Sequence, residues 1–263
     1  MNVTSILSQG LRLAAASLLL ATGAAAFAAE VKVMISGGFS AAYEQLVPRF
    51  ERATGHTVTT VRGPSMGATP QAIPNRLQRG EAADVVIMVG EALDPLIAQG
   101  RVAAGSRVDL ARSYIAMAVR AGAPKPDIAT VDAFKRTLLD ARSIAYSDSA
   151  SGVYLSTVLF QRLGIWEQIK DKSRMIPAEP VGGVVARGDA EIGFQQLSEL
   201  IPVRGIQIVG LLPTATQKVT VFSAGIAAGA HEPVAAKALV DFLASKASIE
   251  AITASGMEPA NAK

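Results

Sequence analysis

The sequence contains no cysteine and only two histidines among its 263 residues. Without cysteine there is no disulfide framework, no thiolate metal site and no cysteine nucleophile. His56 and His231 lie far apart in the chain, and neither accompanies a nucleophile-elbow motif. We therefore expect no transition-metal site and no cofactor.

Charge is also scarce. Charged residues make up 18% of the chain, with 25 Lys and Arg against 22 Asp and Glu, which leaves a net charge of +3. These charges are scattered rather than grouped in blocks, so the sequence predicts no nucleic-acid surface. Hydrophobic residues reach 50%, which predicts a folded chain of one or two domains rather than a disordered one.

The N-terminus has the pattern of a secretory signal peptide. Arg12 is its only charge, an apolar run covers 13–28, and Ala26-Phe27-Ala28 is a small-x-small cleavage site. A transmembrane anchor is the rival interpretation, but the run is shorter than the ~20 residues that span a bilayer. Residues 1–29 are thus predicted to be removed. We expect a soluble, monomeric periplasmic protein without a lipid anchor or membrane insertion.

Short β-branched runs alternate with amphipathic stretches along the rest of the chain. This alternation predicts an α/β fold with largely parallel sheet. The predicted strands are 31–36, 57–62, 83–88, 113–120, 143–147, 191–195, 206–211 and 218–227. The predicted helices are 40–54, 73–79, 93–99, 130–139, 152–163, 181–187 and 233–245.

Three segments, at 37–55, 79–87 and 187–193, resemble in sequence and in order those of periplasmic solute-binding proteins, most closely the molybdate-binding branch. This resemblance implies the type II periplasmic binding protein fold, with a ligand cleft between two lobes joined by two crossover strands, 113–120 and 206–211. Lobe 1 would comprise 30–112 and 214–263, and lobe 2 would comprise 113–213. Hinge closure would then trap the ligand.

Ligands of open α/β sheets sit beyond the carboxyl ends of strands, where helix N-termini offer free backbone N–H groups to anions. The molybdate-binding resemblance implies serine hydroxyls at Ser40 and Ser65 and backbone donors at Ala150 and Val181. Ser40 alone could equally be a plain N-cap. The full predicted ligand-binding set is Gly38, Ser40, Arg62, Ser65, Ser149, Ala150, Val181 and Gln195.

Two residues set this sequence apart from the molybdate-binding pattern. Gln195 or Gln196 falls near the position where that family carries a tyrosine. Arg62 ends a predicted strand at the cleft, where it is either a solvated strand end or a bidentate clamp for a carboxylate. Both features favour a carboxylate over molybdate.

These observations leave hypotheses from different classes open. The resemblance implies first a binding protein that delivers a small anion, an oxyanion or a polycarboxylate, to the permease of an ABC-type transporter. The alternative is an isomerase on the same scaffold, similar to aconitate isomerase, that moves an allylic proton of a tricarboxylate. Its base would have to be found, and Tyr43, Tyr146 and Tyr154 are the candidates. A structural or signalling module would explain the cleft loops as turns only.

Overall fold

The computed structural model describes residues 28–177 and 179–260. The signal-peptide prediction therefore falls almost entirely outside the described residues. Among the described helices, none is long and apolar enough to cross a membrane.

The first part of the chain alternates strands and helices. Its elements are β1 (Glu30–Ile35), α1 (Gly37–Thr54), β2 (Thr57–Arg62), α2 (Ile73–Gln78), β3 (Val85–Val89), α3 (Gly90–Ala98) and β4 (Val108–Ser113). Gly55 ends α1 in the left-handed conformation, with φ 75°, which a residue with a Cβ adopts only at a cost.

The middle of the chain continues the alternation. Its elements are β5 (Ile115–Arg120), α4 (Val131–Asp140), β6 (Ile144–Ser147), α5 (Ala150–Tyr154), α6 (Phe160–Arg162), α7 (Trp166–Ile169), β7 (Ser173–Ile176), α8 (Val181–Arg187), β8 (Ile192–Gln196), α9 (Leu197–Leu200) and β9 (Ile206–Leu211). A π-helical turn, Leu155–Leu159, joins α5 to α6. Thr130 caps α4 by accepting the Ala133 N–H at 3.1 Å.

The chain then returns to the first part of the molecule. Its last elements are β10 (Thr220–Ile226), α10 (Pro233–Leu243), α11 (Ile249–Ala254) and β11 (Glu258–Pro259). Proline at the first position of α10 has no N–H to leave unsatisfied there.

The described strands form two mixed sheets. The first has the order β11-β4-β10-β3-β1-β2, and the second has the order β7-β6-β8-β5-β9. Strand β1 runs parallel to β2 and β3, and β6 runs parallel to β7 and β8. Strands β10 and β5 are antiparallel to both of their neighbours. Both strands begin directly after the chain has passed from one sheet to the other, and no crossover helix precedes them that would bring them in parallel to their neighbours. The sheets are therefore mixed rather than largely parallel as predicted.

The first passage between the sheets takes place at Tyr114. The run 113–120 was predicted as one crossover strand, but Ser113 ends β4 in the first sheet and Ile115 begins β5 in the second. The second passage follows β9, which is an edge strand of the second sheet rather than a crossing strand. Between β9 and β10 the chain crosses back through Thr214–Thr216, a 3-10 turn.

Each sheet is covered on both faces, and β3 shows why its sequence is apolar throughout. Val85, Ile87 and Val89 belong to the core beneath α1 and α10, whereas Val86 and Met88 belong to a second core with α2 and α3. A strand buried on both faces loses the alternation of polar and apolar residues. The second sheet has its own core around Phe134 and Phe194, which meet edge to face at 5.9 Å.

Asp84 fastens the C-terminal segment to the first sheet. Its carboxylate accepts the Lys32 N–H at 2.7 Å, the His231 N–H at 2.6 Å and the Glu232 N–H at 3.0 Å. The side chain is 1% exposed, so its charge is compensated by the Lys32 N–H of β1 and by the two donors at the start of α10 rather than by water.

Candidate functional site

A cleft of about 320 Å³ opens between the two sheets. Its walls are formed where β1, β2 and β3 end in the first sheet and where β6 and β8 end in the second, so it occupies the position expected for ligands of α/β sheets. The volume lies within the range of small-molecule sites, roughly 300–1,000 Å³.

Ser36 heads the first-lobe wall. It stands at the N-cap position of α1 in an extended conformation, is 2% exposed and lines the cleft. Its hydroxyl is buried without a hydrogen-bond partner among the described residues. The first N–H groups of the 18-residue helix α1 follow it, with no acidic side chain in the first turn. This corner is suited to a negatively charged ligand group.

The two serines predicted for this wall make hydrogen bonds within the protein. The Ser40 hydroxyl donates to the Ser36 carbonyl at 3.3 Å, because α1 begins at Gly37 and Ser40 already lies inside the helix. Ser65 is fully buried, and its hydroxyl accepts the Val89 N–H at 3.0 Å. The structure therefore places Ser36, and neither Ser40 nor Ser65, on the cleft wall.

Gly38 lies on the wall as expected, and its lack of a side chain has a steric reason. A Cβ at Gly38 would lie 2.0 Å from the ring of Phe222. At Gly37 a Cβ would lie 2.2 Å from Glu199 Oε1. The start of α1 is thus packed closely against β10 on one side and α9 on the other.

The second-lobe wall contains a group of serines at the start of α5. Ser149 and Ala150, which are predicted to bind ligand, line the cleft together with Ser147 and Ser151, whose hydroxyls lie 3.0 Å apart. Gly152 lets the helix start against the end of β6, because a Cβ there would lie 1.7 Å from the Ser147 carbonyl oxygen.

Val181 and Gln195 are joined to each other. The Val181 N–H donates to Gln195 Oε1 at 2.9 Å, so this predicted backbone donor is already satisfied within the protein. Gln195 lines the cleft and is 5% exposed. The neighbouring Gln196 donates through Nε2 to Thr220 Oγ1 at 3.0 Å, and its buried Oε1 has no partner among the described residues.

Arg62 is the one cationic side chain among the described residues that line the cleft. It lies at the rim, 54% exposed, and pairs with Glu44 at 2.5 Å. A ligand carboxylate at this rim would share the guanidinium with Glu44, so its contribution is that of a surface ion pair.

Glu199 is the ionisable group that the sequence interpretation missed. It follows β8 on the short helix α9 and lines the cleft, partly buried. Burial raises the pKa of Glu199 to about 7, and the charge of Asp148 raises it as well. Hydrogen bonds from the Gln195 amide and the Gln196 N–H act in the opposite direction. Near neutral pH this carboxyl group can therefore both accept and donate a proton.

The three tyrosines considered as bases lie elsewhere. Burial raises the pKa of Tyr43 to about 12, and its hydroxyl is 2.8 Å from Thr60 Oγ1. Burial also raises the pKa of Tyr146. The Tyr154 hydroxyl donates to the Thr216 carbonyl at 2.9 Å. None of the three is among the described residues that line the cleft.

Residues 31–258 match the family model for bacterial extracellular solute-binding proteins. The chain belongs to this family. It is 57% identical to an aconitate isomerase of a Pseudomonas species over 231 residues, which are 88% of each chain. It is 28% identical to the molybdate-binding protein ModA of Azotobacter vinelandii, covering 88% of this chain and 91% of that one.

Solved structures of the family have the same fold. The periplasmic molybdate-binding protein of Azotobacter vinelandii superposes with a TM-score of 0.68 at 24% identity, over 86% of this chain and 98% of that one. The type II two-lobed fold inferred from the sequence resemblance is thereby confirmed.

Within this solute-binding fold, the cleft is rich in neutral donors and contains three carboxyl groups, those of Asp148, Glu179 and Glu199. Glu179 is paired with Arg187 at 3.1 Å. Among residues 28–177 and 179–260, no group of three His, Cys, Asp or Glu side chains could hold a metal ion.

One sequence signal could have revealed Glu199. It lies four residues beyond the predicted strand 191–195, at the carboxyl end where ligands of this fold bind. Its burial, however, depends on the approach of α1 from the other sheet, and no local pattern shows that contact.

Proposed function

We propose that this protein is an exported isomerase that interconverts cis- and trans-aconitate by moving an allylic proton. The observation that carries this proposal is the Glu199 carboxyl group in the interlobe cleft, with its pKa raised to about 7. The 57% identity to an aconitate isomerase supports it. A carrier needs no proton acceptor in its site, whereas an allylic isomerase does.

The donors of the two walls suit a ligand with several carboxylates. Ser36 and the start of α1 would bind one carboxylate from the first lobe. Ser149 and Ser151 would bind another from the second lobe. Arg62 would meet a third at the rim. Fixed hydroxyl and N–H donors stabilise negative charge on a bound ligand.

The reaction balances without a cofactor. Glu199 accepts a proton from the methylene carbon, and the electrons of that C–H bond form the new double bond. The electrons of the old double bond become a carbanion that is delocalised into the flanking carboxylate. The geometry of the new double bond is set by the conformation about the bond between the methylene and central carbons when the proton leaves. Return of the proton from Glu199 to the former vinyl carbon then gives the other geometric isomer. A carboxyl group with a pKa near the working pH serves both halves of this exchange.

The experiment is to incubate the purified protein with trans-aconitate and follow the isomers by proton NMR. We expect conversion by the wild type and a loss of about 10²–10⁴-fold in kcat in Glu199→Gln. Glu250→Gln is the matched control, because Glu250 is 86% exposed on the outside of the first lobe. Failure of the wild type to convert either isomer would contradict the isomerase proposal.

The second candidate function is capture of a small anion for an ABC-type transporter. The 28% identity to a molybdate-binding protein and the neutral donors of the cleft favour it. A thermal-shift series with molybdate, sulfate, citrate and both aconitates distinguishes the two, since a bound ligand at 100 times its Kd stabilises the protein by about 2.7 kcal/mol. Stabilisation by aconitate without turnover would support a carboxylate carrier.

We also propose that the protein is exported to the periplasm, where residues 1–29 are removed and the protein is a monomer. The Ala26-Phe27-Ala28 cleavage pattern supports export and cleavage. The intact mass and the elution volume of the protein recovered from a periplasmic extract test both parts. A mass that includes residues 1–29 would contradict cleavage.

A further inference from the structure

Gln196 has one end of its side-chain amide unsatisfied in the wall of the cleft. The residue ends β8, lines the cleft and is 2% exposed. Its Nε2 donates to Thr220 Oγ1 at 3.0 Å, whereas its buried Oε1 has no partner among the described residues. A buried acceptor without a partner destabilises the unliganded protein. A hydrogen-bond donor on a bound ligand would remove this penalty.

The bond to Thr220 indicates which end of the amide the cleft receives. Thr220 is buried and is not among the described residues that line the cleft. The Nε2 end therefore points away from the cleft, and Oε1 is the end that remains towards it. The Thr220 hydroxyl can serve either end, but a turned amide would leave both N–H donors of Nε2 without a partner in place of one acceptor.

An acceptor at this point selects among anions by their protonation. An ionised carboxylate presents only acceptor oxygens, so it gains nothing from Gln196 Oε1. A protonated carboxyl group has an O–H that this oxygen can accept. Ser36 is complementary, because its unpartnered hydroxyl can donate to a carboxylate that stays ionised. The cleft thus offers sites for both forms of the group.

The charges of the cleft also favour a ligand of reduced negative charge. Arg62 is the one cation among the described lining residues, and it is paired with Glu44. Arg187, which pairs with a carboxyl group of the wall, is matched in the same way. Each further negative charge on a ligand is repelled by the carboxylates of the wall, which favours the protonated form. The described carboxyl groups of the lining are those of Asp148, Glu179 and Glu199.

We propose that Gln196 is a specificity-determining residue that accepts the O–H of a carboxylic acid, so that the cleft binds a polycarboxylate with one carboxyl group protonated. This deepens the proposed function and rests on it insofar as the ligand is a tricarboxylate. Binding at neutral pH is then coupled to the uptake of a proton from solvent onto that carboxyl group. Molybdate, which carries no proton at neutral pH, is disfavoured.

The experiment measures proton uptake on binding. We titrate trans-aconitate calorimetrically into Glu199→Gln, in which position 199 has no proton to exchange, using two buffers of different ionisation enthalpy. Above about pH 7, where the free ligand is ionised, we expect uptake of close to one proton per ligand bound. The affinity should fall by up to about tenfold for each pH unit, because the bound form holds one proton more than the free form.

A second substitution tests whether Gln196 is responsible. Gln196→Met keeps the length of the side chain and removes both ends of the amide. In the Glu199→Gln background we expect it to lower the affinity for trans-aconitate by about 2- to 10-fold and to remove most of the proton uptake. Gln99→Met, at the exposed end of α3, is the matched control and should leave both unchanged.

Binding of trans-aconitate to Glu199→Gln without proton uptake would overturn the proposal, even if Gln196→Met does not fold. So would molybdate binding that is tighter than aconitate binding and unchanged in Gln196→Met. Proton-coupled binding of aconitate to a protein that does not convert it would support the role of Gln196 while contradicting the isomerase proposal. Conversion without proton uptake on binding would do the reverse.

Discussion

The two walls of the cleft are built from similar parts but differ in chemistry. Each presents serines and glycines at the start of a helix, yet the described carboxyl groups of the cleft all belong to the second-lobe side. The first-lobe wall has donors and one rim cation, Arg62. On the isomerase proposal, both walls would bind ligand carboxylates, whereas the carboxyl group that moves the proton would come from the second-lobe wall.

The strongest test of the difference between the two walls is to substitute one glycine on each of them. A Cβ at Gly152 would meet backbone, 1.7 Å from the Ser147 carbonyl oxygen, which cannot move without separating α5 from β6. We expect Gly152→Ala to lower the free energy of unfolding by about 3 kcal/mol or more. Denaturant unfolding measures this loss of stability. A free energy of unfolding equal to that of the wild type would show that α5 and β6 can move apart without cost.

Gly37→Ala is the counterpart on the first lobe. Its Cβ would meet the Glu199 side chain, 2.2 Å from Oε1 and 3.2 Å from Cδ, which is the end of a flexible side chain. We expect stability to stay within about 1 kcal/mol of the wild type, while turnover falls because Glu199 is displaced. A Gly37→Ala variant with full activity would mean that Glu199 does not work in this position.

Glu199 should also affect stability in a pH-dependent way. Its pKa is raised from 4.5 to about 7 in the folded protein, so the unfolded chain releases this proton first and stability falls as pH rises through this window. Glu199→Gln removes the effect. The free energy of unfolding of Glu199→Gln should equal that of the wild type near about pH 4. Above about pH 8 it should exceed the wild-type value by at most about 3 kcal/mol. Thermal unfolding across this range measures it, and a constant difference would contradict the raised pKa.

A smaller effect is expected from substituting two serines at the start of α1. Ser36→Ala should weaken binding of a carboxylate ligand by about 1.5–3 kcal/mol, since it removes a donor to a charged group. Ser40→Ala should change affinity little, because its hydroxyl is bonded to the Ser36 carbonyl. Calorimetric titration of both variants is the test. Equal losses of affinity in the two variants would show that Ser40 also contributes to ligand binding.

The smallest expected effect is at the rim. Arg62→Gln should cost about 1 kcal/mol or less in affinity for a tricarboxylate, because the guanidinium is exposed and already paired. Glu44→Gln should instead strengthen binding slightly by freeing the cation. Measuring the ligand affinity of both variants at low and high salt distinguishes long-range electrostatic attraction, which salt screens, from a direct contact with the ligand. A loss above tenfold in Arg62→Gln would make this residue a principal clamp.

Much of the fold could be predicted because local signals agreed with the tertiary arrangement. Strand β2 and helix α8 have the predicted bounds, and Gly55 and Gly188 end helices as expected. The passage at Tyr114 was missed because neither Gly nor Pro interrupts the apolar run there. Strand β4 was missed as well, since its charged residues obscure the alternation.

The site was less predictable because it depends on contacts between distant segments. Gly37 and Gly38 were interpreted as loop, which placed the helix start at Ser40 and concealed Ser36. They form the first turn of α1, where Glu199 and Phe222 occupy the space that side chains would need. The raised pKa of Glu199 has the same origin, since it arises from burial that only the assembled lobes create.

The position of β10 between β3 and β4 determines in what order the molecule can assemble. The second sheet is built from one continuous segment, β5 to β9, whereas the first cannot be completed until β10 has been inserted. A chain that emerges N-terminus first during its synthesis therefore presents a whole second lobe before it can close the first. The single tryptophan, Trp166, stacks on Phe160 in that second lobe at 6.3 Å. Its fluorescence should recover ahead of amide protection in β3 during refolding, and simultaneous recovery would indicate that the two lobes fold as one unit.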